Sequence, residues 1–457
     1  MVTRKFVSEI RLMLRLFWPI ILGQLAVNSM SVVDTIMAGM AGALELSGVA
    51  IGASFFMPVL FTMVGLSLAI QPIVSHLVGA KNKQEIPRQM HQIALTCVFI
   101  SFFMAVLLSQ MHLIYNFIPA DPKMIEVATG YLYALSIGIP VMVFYHVLNA
   151  YCQGLGITVP CLWFGFLQLS LNIPLNYIFI FGLGPIPAFG GIGCGIATSL
   201  TALFSTITFA FYIQLSPRFK DVRLFRQWFS LDLSFIKSFL KLGIPLALSS
   251  TMEVGCFSLA ALILSPFGPI VVSAHSITLN ISGMLFMLPL SVAIVTTIRT
   301  GTAMGAKDWV ASKRIAQAGC SINFFFYLVS VIFLVSMRET LASLYSNNPE
   351  IIAMASSLML INCIYLFPDS VQMLCIGVLR GFKDSKTIFF VTLLAYWVIG
   401  LPLGSSLSWG LITDEPFKAY GIWIGFTCAL SVAMLVYLTR LVILFRTRKL
   451  PKALRNS

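Results

Sequence analysis

Charge is what this sequence lacks most. Only 10% of its residues are charged and 58% are apolar, which gives a mean hydropathy of +0.94. A soluble domain carries about 25% charged residues, so a chain this poor in charge cannot cover a water-facing surface. Its 457 residues would suit two or three soluble domains by length alone. The composition excludes those domains and predicts an integral membrane protein.

Motifs of several chemical classes are also missing. The chain has no Walker A, H-E-x-x-H, G-x-S-x-G or EF-hand pattern. We therefore expect no enzyme activity and no cofactor, and any transport should be driven by an ion gradient. None of the nine cysteines forms a C-x-x-C pair, which favours small packing residues over a metal site. No A-x-A-like cleavage site follows the first apolar run, which therefore predicts a membrane span rather than a signal peptide.

Long apolar runs dominate the chain instead. Twelve of them can cross about 30 Å of hydrocarbon as helices of roughly 20 residues. Their continuity favours helices over the alternating strands of a membrane barrel. The predicted fold class is an all-α integral membrane protein with twelve transmembrane helices. The predicted spans are 12–38, 46–72, 92–117, 128–151, 160–182, 191–214, 237–265, 274–298, 318–337, 351–379, 387–409 and 419–444.

The basic residues are distributed unequally between the loops. All of the 29 except Lys123, Arg338 and Lys418 fall at the termini or in the even-numbered loops. The positive-inside rule then places both termini in the cytoplasm, which agrees with an even number of spans. The net charge of +13 is thereby explained by topology, and we expect no nucleic-acid partner.

The two halves of the chain resemble each other. Five short motifs recur in order at offsets of 226 to 228 residues, among them Gly79-Ala80-Lys81 and Gly305-Ala306-Lys307. Each half holds six spans, so the copies share one topology. The predicted domains are an N-terminal six-helix bundle, 1–226, and a C-terminal one, 227–457, joined by a basic linker at about 215–236. Two like bundles around a central cleft suit alternating access.

Three acidic residues fall inside predicted spans, namely Asp34, Glu253 and Asp369. A charge at the centre of a membrane helix costs about 2.5–3.5 kcal/mol, so each carboxyl needs a reason to be there. One alternative is a protonated group that is merely hydrogen-bonded.

Polar residues follow these carboxyls at helical spacing. Tyr365 lies four residues before Asp369, and Asn280 lies in span 8. In span 5, Asn172 and Asn176 share one face around a proline. Amides of this kind either join helices or, together with carboxylates and phenols, bind a hard cation. Burial would also suit proton exchange.

With these features the chain resembles the multidrug and toxic compound extrusion family, in its bacterial NorM-type branch. The motifs that carry the resemblance are Pro19, Val33-Asp34-Thr35-Ile36-Met37-Ala38-Gly39, Gly79-Ala80-Lys81, Gln153-Gly154, Asn172-Ile-Pro-Leu-Asn176, Glu253, Asn280 and Phe367-Pro368-Asp369-Ser370. The resemblance covers nearly the whole chain.

The resemblance implies a secondary active efflux antiporter in the bacterial inner membrane, which acts as a monomer. By resemblance, Glu253, Asp369, Tyr365 and Asn280 form a cation site in the C-terminal half, with Na⁺ possible at the two carboxyls. Asp34, Asn172 and Asn176 form a proton-responsive site in the N-terminal half. The coupling ion is Na⁺ or H⁺, and the cargo is a small organic cation such as a drug or dye.

A lipid-linked oligosaccharide flippase of similar two-bundle plan is the alternative. Its anionic cargo would call for basic residues in the cleft, whereas the candidate residues here are acidic. An enzyme embedded in the membrane would need a metal or nucleophile cluster, which the sequence does not offer.

The predicted orientation can be tested with a reporter that is active only outside the cytoplasm. Fused to the C-terminus, it should give no signal, because the basic loops keep that end in the cytoplasm. Strong reporter activity on the outer side would contradict both the orientation and the even number of spans.

Overall fold

The structure is a computed structural model that describes residues 2–111, 113, 121–224, 230–412 and 415–448. Throughout these residues the regular structure is helical, apart from an isolated bridge between Leu183 and Ile186. Twelve helices are long and apolar enough to cross a membrane, which confirms the predicted fold class. They are α1 Arg4–Ala41, α2 Ala43–Gly79, α3 Glu85–Ser109, α4 Pro122–Gly154, α5 Val159–Phe181, α6 Gly191–Leu215, α7 Leu233–Phe267, α8 Pro269–Gly305, α9 Trp309–Ser343, α10 Pro349–Gly381, α11 Ser385–Ser408 and α12 Ala419–Thr447.

Most helices run past the spans that hydropathy predicts. The eighth was expected at 274–298, but α8 extends by five residues before that range and by seven after it. Hydropathy marks only the segment in hydrocarbon, while the backbone hydrogen bonds continue into the polar ends. Arg299 and Arg380 therefore lie in helices rather than in the loops to which the sequence assigned them. The expected end of span 3 at 117 falls outside the described residues.

Contacts between residues divide the described chain into two units. One comprises residues 18–247, and the other comprises residues 1–17 together with 248–457. Helices α1 and α7 each contribute to both units, and each changes unit within two residues of a proline, Pro19 or Pro245. The start of α1 is held in the second unit by Glu9, whose carboxylate accepts two hydrogen bonds from Arg299, at 2.7 and 3.0 Å. The predicted domain boundary between residues 226 and 227 stays a prediction, because 225–229 are not described.

The repeat is visible in how four helices end. Lys81, Gly156, Lys307 and Lys383 follow α2, α4, α8 and α10, and all four have φ between 57° and 74°. A hydrogen bond of the Schellman type closes each of these ends. The four bonds run from Asn82 N to Leu77 O, Ile157 N to Cys152 O, Asp308 N to Ala303 O and Asp384 N to Leu379 O, at 2.8 to 2.9 Å.

Glycines bring α11 and α12 into close contact. A Cβ placed on Gly425 would lie 2.5 Å from the Cα of Gly404, and one on Gly421 would lie 2.4 Å from the backbone nitrogen of Ser408. Small residues at the spacing of Gly421 and Gly425 allow membrane helices to approach to backbone distance. The same contact positions the segment Leu393–Gly400 of α11, which is wound as a π-helix.

The cap geometry predicts opposite effects for one substitution at two positions. Replacing Lys307 with glycine should raise the thermal midpoint in detergent, because the left-handed conformation costs a non-glycine residue about 1 kcal/mol. The fourth equivalent position already carries a glycine, Gly156.

Lys313→Gly is the matched control, since Lys313 is exposed inside α9. A glycine there should lower the midpoint, because it costs roughly 1 kcal/mol in a helix interior. The cap assignment is wrong if Lys307→Gly lowers the midpoint as much as Lys313→Gly does.

Candidate functional site

Asp34 of α1 meets two amides of α5 in the unit formed by residues 18–247. The Nδ2 atoms of Asn172 and Asn176 donate to Asp34 Oδ1 at 3.1 and 2.5 Å. Asn176 Nδ2 also donates to Asn172 Oδ1 at 3.1 Å. The two asparagines are four residues apart, which puts them on one face of α5, and both are fully buried. The structure thus brings together the three residues proposed for the N-terminal site.

A fourth member of this group was missed by the sequence reasoning. Thr198 of α6 donates its hydroxyl to Asp34 Oδ2 at 3.2 Å, so both carboxylate oxygens accept hydrogen bonds. One turn earlier on α6, Cys194 Sγ lies 3.7 Å from the backbone oxygen of Asp34. Nothing in the sequence distinguishes Thr198 from other threonines of apolar helices, which commonly bond to their own backbone. In the part of the chain that the structure describes, no basic residue forms an ion pair with Asp34.

The second acidic cluster lies in the other unit and joins three helices. Tyr396 of α11 donates its hydroxyl to Glu253 Oε1 of α7 at 3.3 Å. Gln372 of α10 donates to Tyr396 Oη at 3.1 Å and to Asp369 Oδ1 at 3.4 Å. Glu253 and Asp369, which the sequence assigned to one site, are therefore linked through two neutral side chains.

One oxygen in this cluster has no partner. Asp369 is 1% exposed, and its Oδ2 makes no hydrogen bond among the described residues. Leaving a buried acceptor unsatisfied costs about 1–3 kcal/mol, and more for a charged group. A bound proton or a small cation would remove this cost, so the arrangement can accept one of them.

Tyr396 was missed by the sequence reasoning, and its backbone explains why. It lies in the π-helical segment of α11, where the usual spacing of 3.6 residues no longer tells which side chains face a neighbour. Segments of this kind occur frequently at functional sites. Gln372 could have been found, since it lies three residues after Asp369 on the same face of α10.

The other two residues proposed for this site differ in their surroundings. Tyr365 is buried, packs edge-on against Trp423 at 5.4 Å between ring centroids, and interacts electrostatically with Asp369 and Glu253. Asn280 is exposed, and its amide donates to Ser276 O of its own helix at 3.0 Å. The hydrogen bonds of the described residues do not connect Asn280 to either carboxyl, so its role stays a prediction.

Comparison with known families agrees with this geometry. The profile of a family described as MatE matches residues 19–178 and again residues 245–405. The two matches begin 226 residues apart (245 minus 19), which is the offset of the internal repeat, and together they cover more than half of the chain. The chain belongs to the MatE family. Members of this family are transporters, so the chain is a multi-pass membrane transporter rather than an enzyme, as the sequence predicted.

Solved structures of MATE transporters share the fold along nearly the full length. A eukaryotic MATE transporter, AtDTX14, matches with a TM-score of 0.86 at 19% identity over 96% of both chains. An outward-facing multidrug resistance MATE transporter of the MOP superfamily matches at 0.85 and 20% identity over 96% of both chains. A MOP superfamily transporter from Pyrococcus furiosus matches at 0.85 and 20% identity over 96% of this chain and 97% of that one. The NorM-type branch within the family stays a prediction.

The hydrogen bonds to Asp34 predict a functional role for Thr198. Thr198→Val keeps the shape of the side chain and removes one donor, which contributes about 1.5–3 kcal/mol when the acceptor is charged. Efflux of a cationic dye from cells should fall several-fold at equal protein level, and Asp34→Asn should reduce it further.

Thr208→Val is the matched control on the same helix. The Thr208 hydroxyl bonds to Phe204 O of its own helix at 2.6 Å, so its loss should leave efflux unchanged. Parental efflux by Thr198→Val would show that this hydroxyl is packing and not part of the site.

Proposed function

We propose that this MatE transporter exports small organic cations in exchange for Na⁺ or H⁺ by alternating access. The observation that carries the proposal is the buried pair of Glu253 and Asp369, bridged by Tyr396 and Gln372 and left with one unsatisfied carboxylate oxygen. An acidic group without its full set of donors is where a coupling ion gains most by binding. The family membership supports transport, and this pair supports coupling to a cation.

The sign of the buried charges favours cationic cargo. Asp34, Glu253 and Asp369 are the acidic residues well inside the spans, and side chains of one sign raise the local concentration of oppositely charged ligands. Fold alone does not decide the substrate, since the Pyrococcus furiosus structure is described by a reverse polarity of its binding pocket and a suggested different function. A flippase for anionic lipid-linked sugars is therefore the weaker proposal for this chain, because its candidate residues carry the opposite charge.

The oxygen ligands of the C-terminal cluster suit a monovalent ion. Glu253 and Asp369 supply carboxylate oxygens, and Tyr396 and Tyr365 supply phenolic ones, which are ligands that hard cations prefer. Among the described residues, no group of three or more His, Cys, Asp or Glu side chains could hold a metal ion. Two carboxylates with neutral neighbours favour Na⁺ or H⁺ over a divalent cation, and the oxygen-rich shell inclines us towards Na⁺.

Coupling requires that the ion binds one conformation better than the other, since a ligand of equal affinity shifts no equilibrium. The cluster draws on α7, α10 and α11, so a movement between these helices changes the ligand set. We further propose that the transporter lies in the cytoplasmic membrane with both termini inside, and that it works as a monomer.

Neutralising the pair should separate transport from folding. Glu253→Gln and Asp369→Asn preserve shape and remove charge, so each variant should reach the membrane and lose at least about tenfold of its ion-driven efflux. The double variant should be little worse than either single one, because residues that share one ion act non-additively. Vesicles containing the purified chain, with an imposed Na⁺ or pH gradient, measure this and identify the ion.

Glu350→Gln is the control, because Glu350 is exposed in the first turn of the helix that carries Asp369. It should pump at the parental rate. If both site variants also pump at the parental rate under either gradient, the assigned coupling site is wrong.

A further inference from the structure

A buried arginine lies at the end of the helix that carries Asp369. The sequence assigned Arg380 to a loop, but the structure places it in the last turn of α10 with only 7% of its surface exposed. Its Nε and Nη1 atoms are buried and make no hydrogen bond to any described residue. A buried charge without a counter-charge is strongly destabilising, so the protein must compensate Arg380 electrostatically.

The neighbouring acidic residue is already paired. Asp384 accepts from Arg440 Nε at 2.9 Å and lies 2.8 Å from Arg440 Nη2. The carboxylate that interacts electrostatically with Arg380 is instead Glu253, and Tyr437 is its other electrostatic neighbour. Arg380 therefore belongs to the electrostatic surroundings of the coupling pair.

The other half of the chain has a neutral residue at the equivalent position. Gly154 corresponds to Gly381, so Gln153 corresponds to Arg380. Gln153 is buried like Arg380, but it is hydrogen-bonded to Gln71 at 2.6 Å and to Asn149 at 2.9 Å. The arginine is thus not a requirement of the repeated fold.

The difference between the halves follows the number of carboxyls. The half with the single carboxyl Asp34 carries the glutamine, and the half with Glu253 and Asp369 carries the arginine. When the carboxyls are ionised, each half then holds one net negative charge in these groups. An arginine added only where a second carboxylate is present acts on the charge of the site rather than on the packing of the helix end.

We propose that Arg380 is a built-in counter-cation of Glu253, which competes with the coupling ion and limits the C-terminal site to one monovalent cation. The inference rests on the proposed function of the carboxyl pair. Without the ion, the guanidinium compensates Glu253. When the ion binds, it takes over part of that compensation, and Arg380 weakens its binding enough for release. Arg380 is thereby a positioning residue that sets affinity without having to touch the ion.

The fluorescence of the tryptophan beside the cluster can report binding. Trp423 is fully buried against Tyr365, so an ion at Asp369 should change its emission. Titrations use NaCl against KCl at constant ionic strength, or pH. The groups that face Glu253 and can contribute to a pH titration are Cys256 of its own helix, Tyr365, Asp369 and Arg380 of α10, Tyr396 of α11 and Tyr437 of α12.

Removing the competing charge should strengthen ion binding. An opposite charge within a few ångströms changes the affinity of a carboxylate for a proton by about ten- to a thousand-fold. Arg380→Gln should therefore lower the half-saturating concentration of the coupling ion at least tenfold and slow gradient-driven efflux, because release becomes slower. Arg380→Lys keeps the charge and should stay within threefold of the parent. Arg440→Gln removes an arginine of the same unit that is paired with Asp384, and it should leave the half-saturating concentration unchanged.

A thermal-stability cycle keeps the proposal testable if Arg380→Gln folds poorly. Glu253→Gln leaves the arginine without its carboxylate and should lower the midpoint, and Glu253→Gln combined with Arg380→Gln should recover it, because removing both partners of a buried pair costs far less than removing one. The inference is overturned if Arg380→Gln binds the ion no more tightly than the parent, or if the double variant is no more stable than Glu253→Gln. If the parent shows neither ion-dependent fluorescence nor ion-driven efflux, the proposed function is wrong, and the thermal cycle alone decides the pairing.

Discussion

A carboxyl group in the hydrocarbon of a membrane finds no water, so the protein itself must supply its hydrogen-bond donors or its counter-charge. The two halves of this chain meet the requirement in different ways. Asp34 is surrounded by neutral donors, two amides of α5 and the hydroxyl of Thr198. Asp369 keeps an oxygen without a donor, and Glu253 has an arginine in its electrostatic surroundings. The first arrangement is complete without an ion, whereas the second leaves a place for one.

This difference is built on a repeated scaffold. The same Schellman end closes α2, α4, α8 and α10, and a left-handed residue follows each of these helices. Gene-level repetition explains the shared ends, and it makes the departures from symmetry informative. Gln153 and Arg380 occupy equivalent positions, as do Gly156 and Lys383, yet only the first of these pairs changes charge deep in a helix end. We infer that the halves share an architecture and divide the work of binding ions.

The sequence was sufficient for the features that depend on local composition. Twelve spans follow from hydropathy, and the repeat follows from motifs at a constant offset, so both were confirmed. Asp34, Asn172 and Asn176 could be grouped because carboxyls and amides are rare in apolar helices. Thr198 and Tyr396 could not be found, since a threonine is common in such helices and a π-helical turn changes which side chains face inward. Arg380 was assigned to a loop because hydropathy does not detect a helix that continues beyond the hydrocarbon.

The central claim is that movement of an organic cation is tied to movement of one monovalent ion through the Glu253–Asp369 pair. The most direct measurement uses sealed vesicles that contain the purified chain, loaded with ethidium, with no ion gradient imposed. Downhill efflux of the dye should drive uptake of radioactive Na⁺ or acidification of the vesicle interior, and Glu253→Gln combined with Asp369→Asn should abolish that ion movement. Dye efflux by the parental chain without movement of either ion would contradict the account.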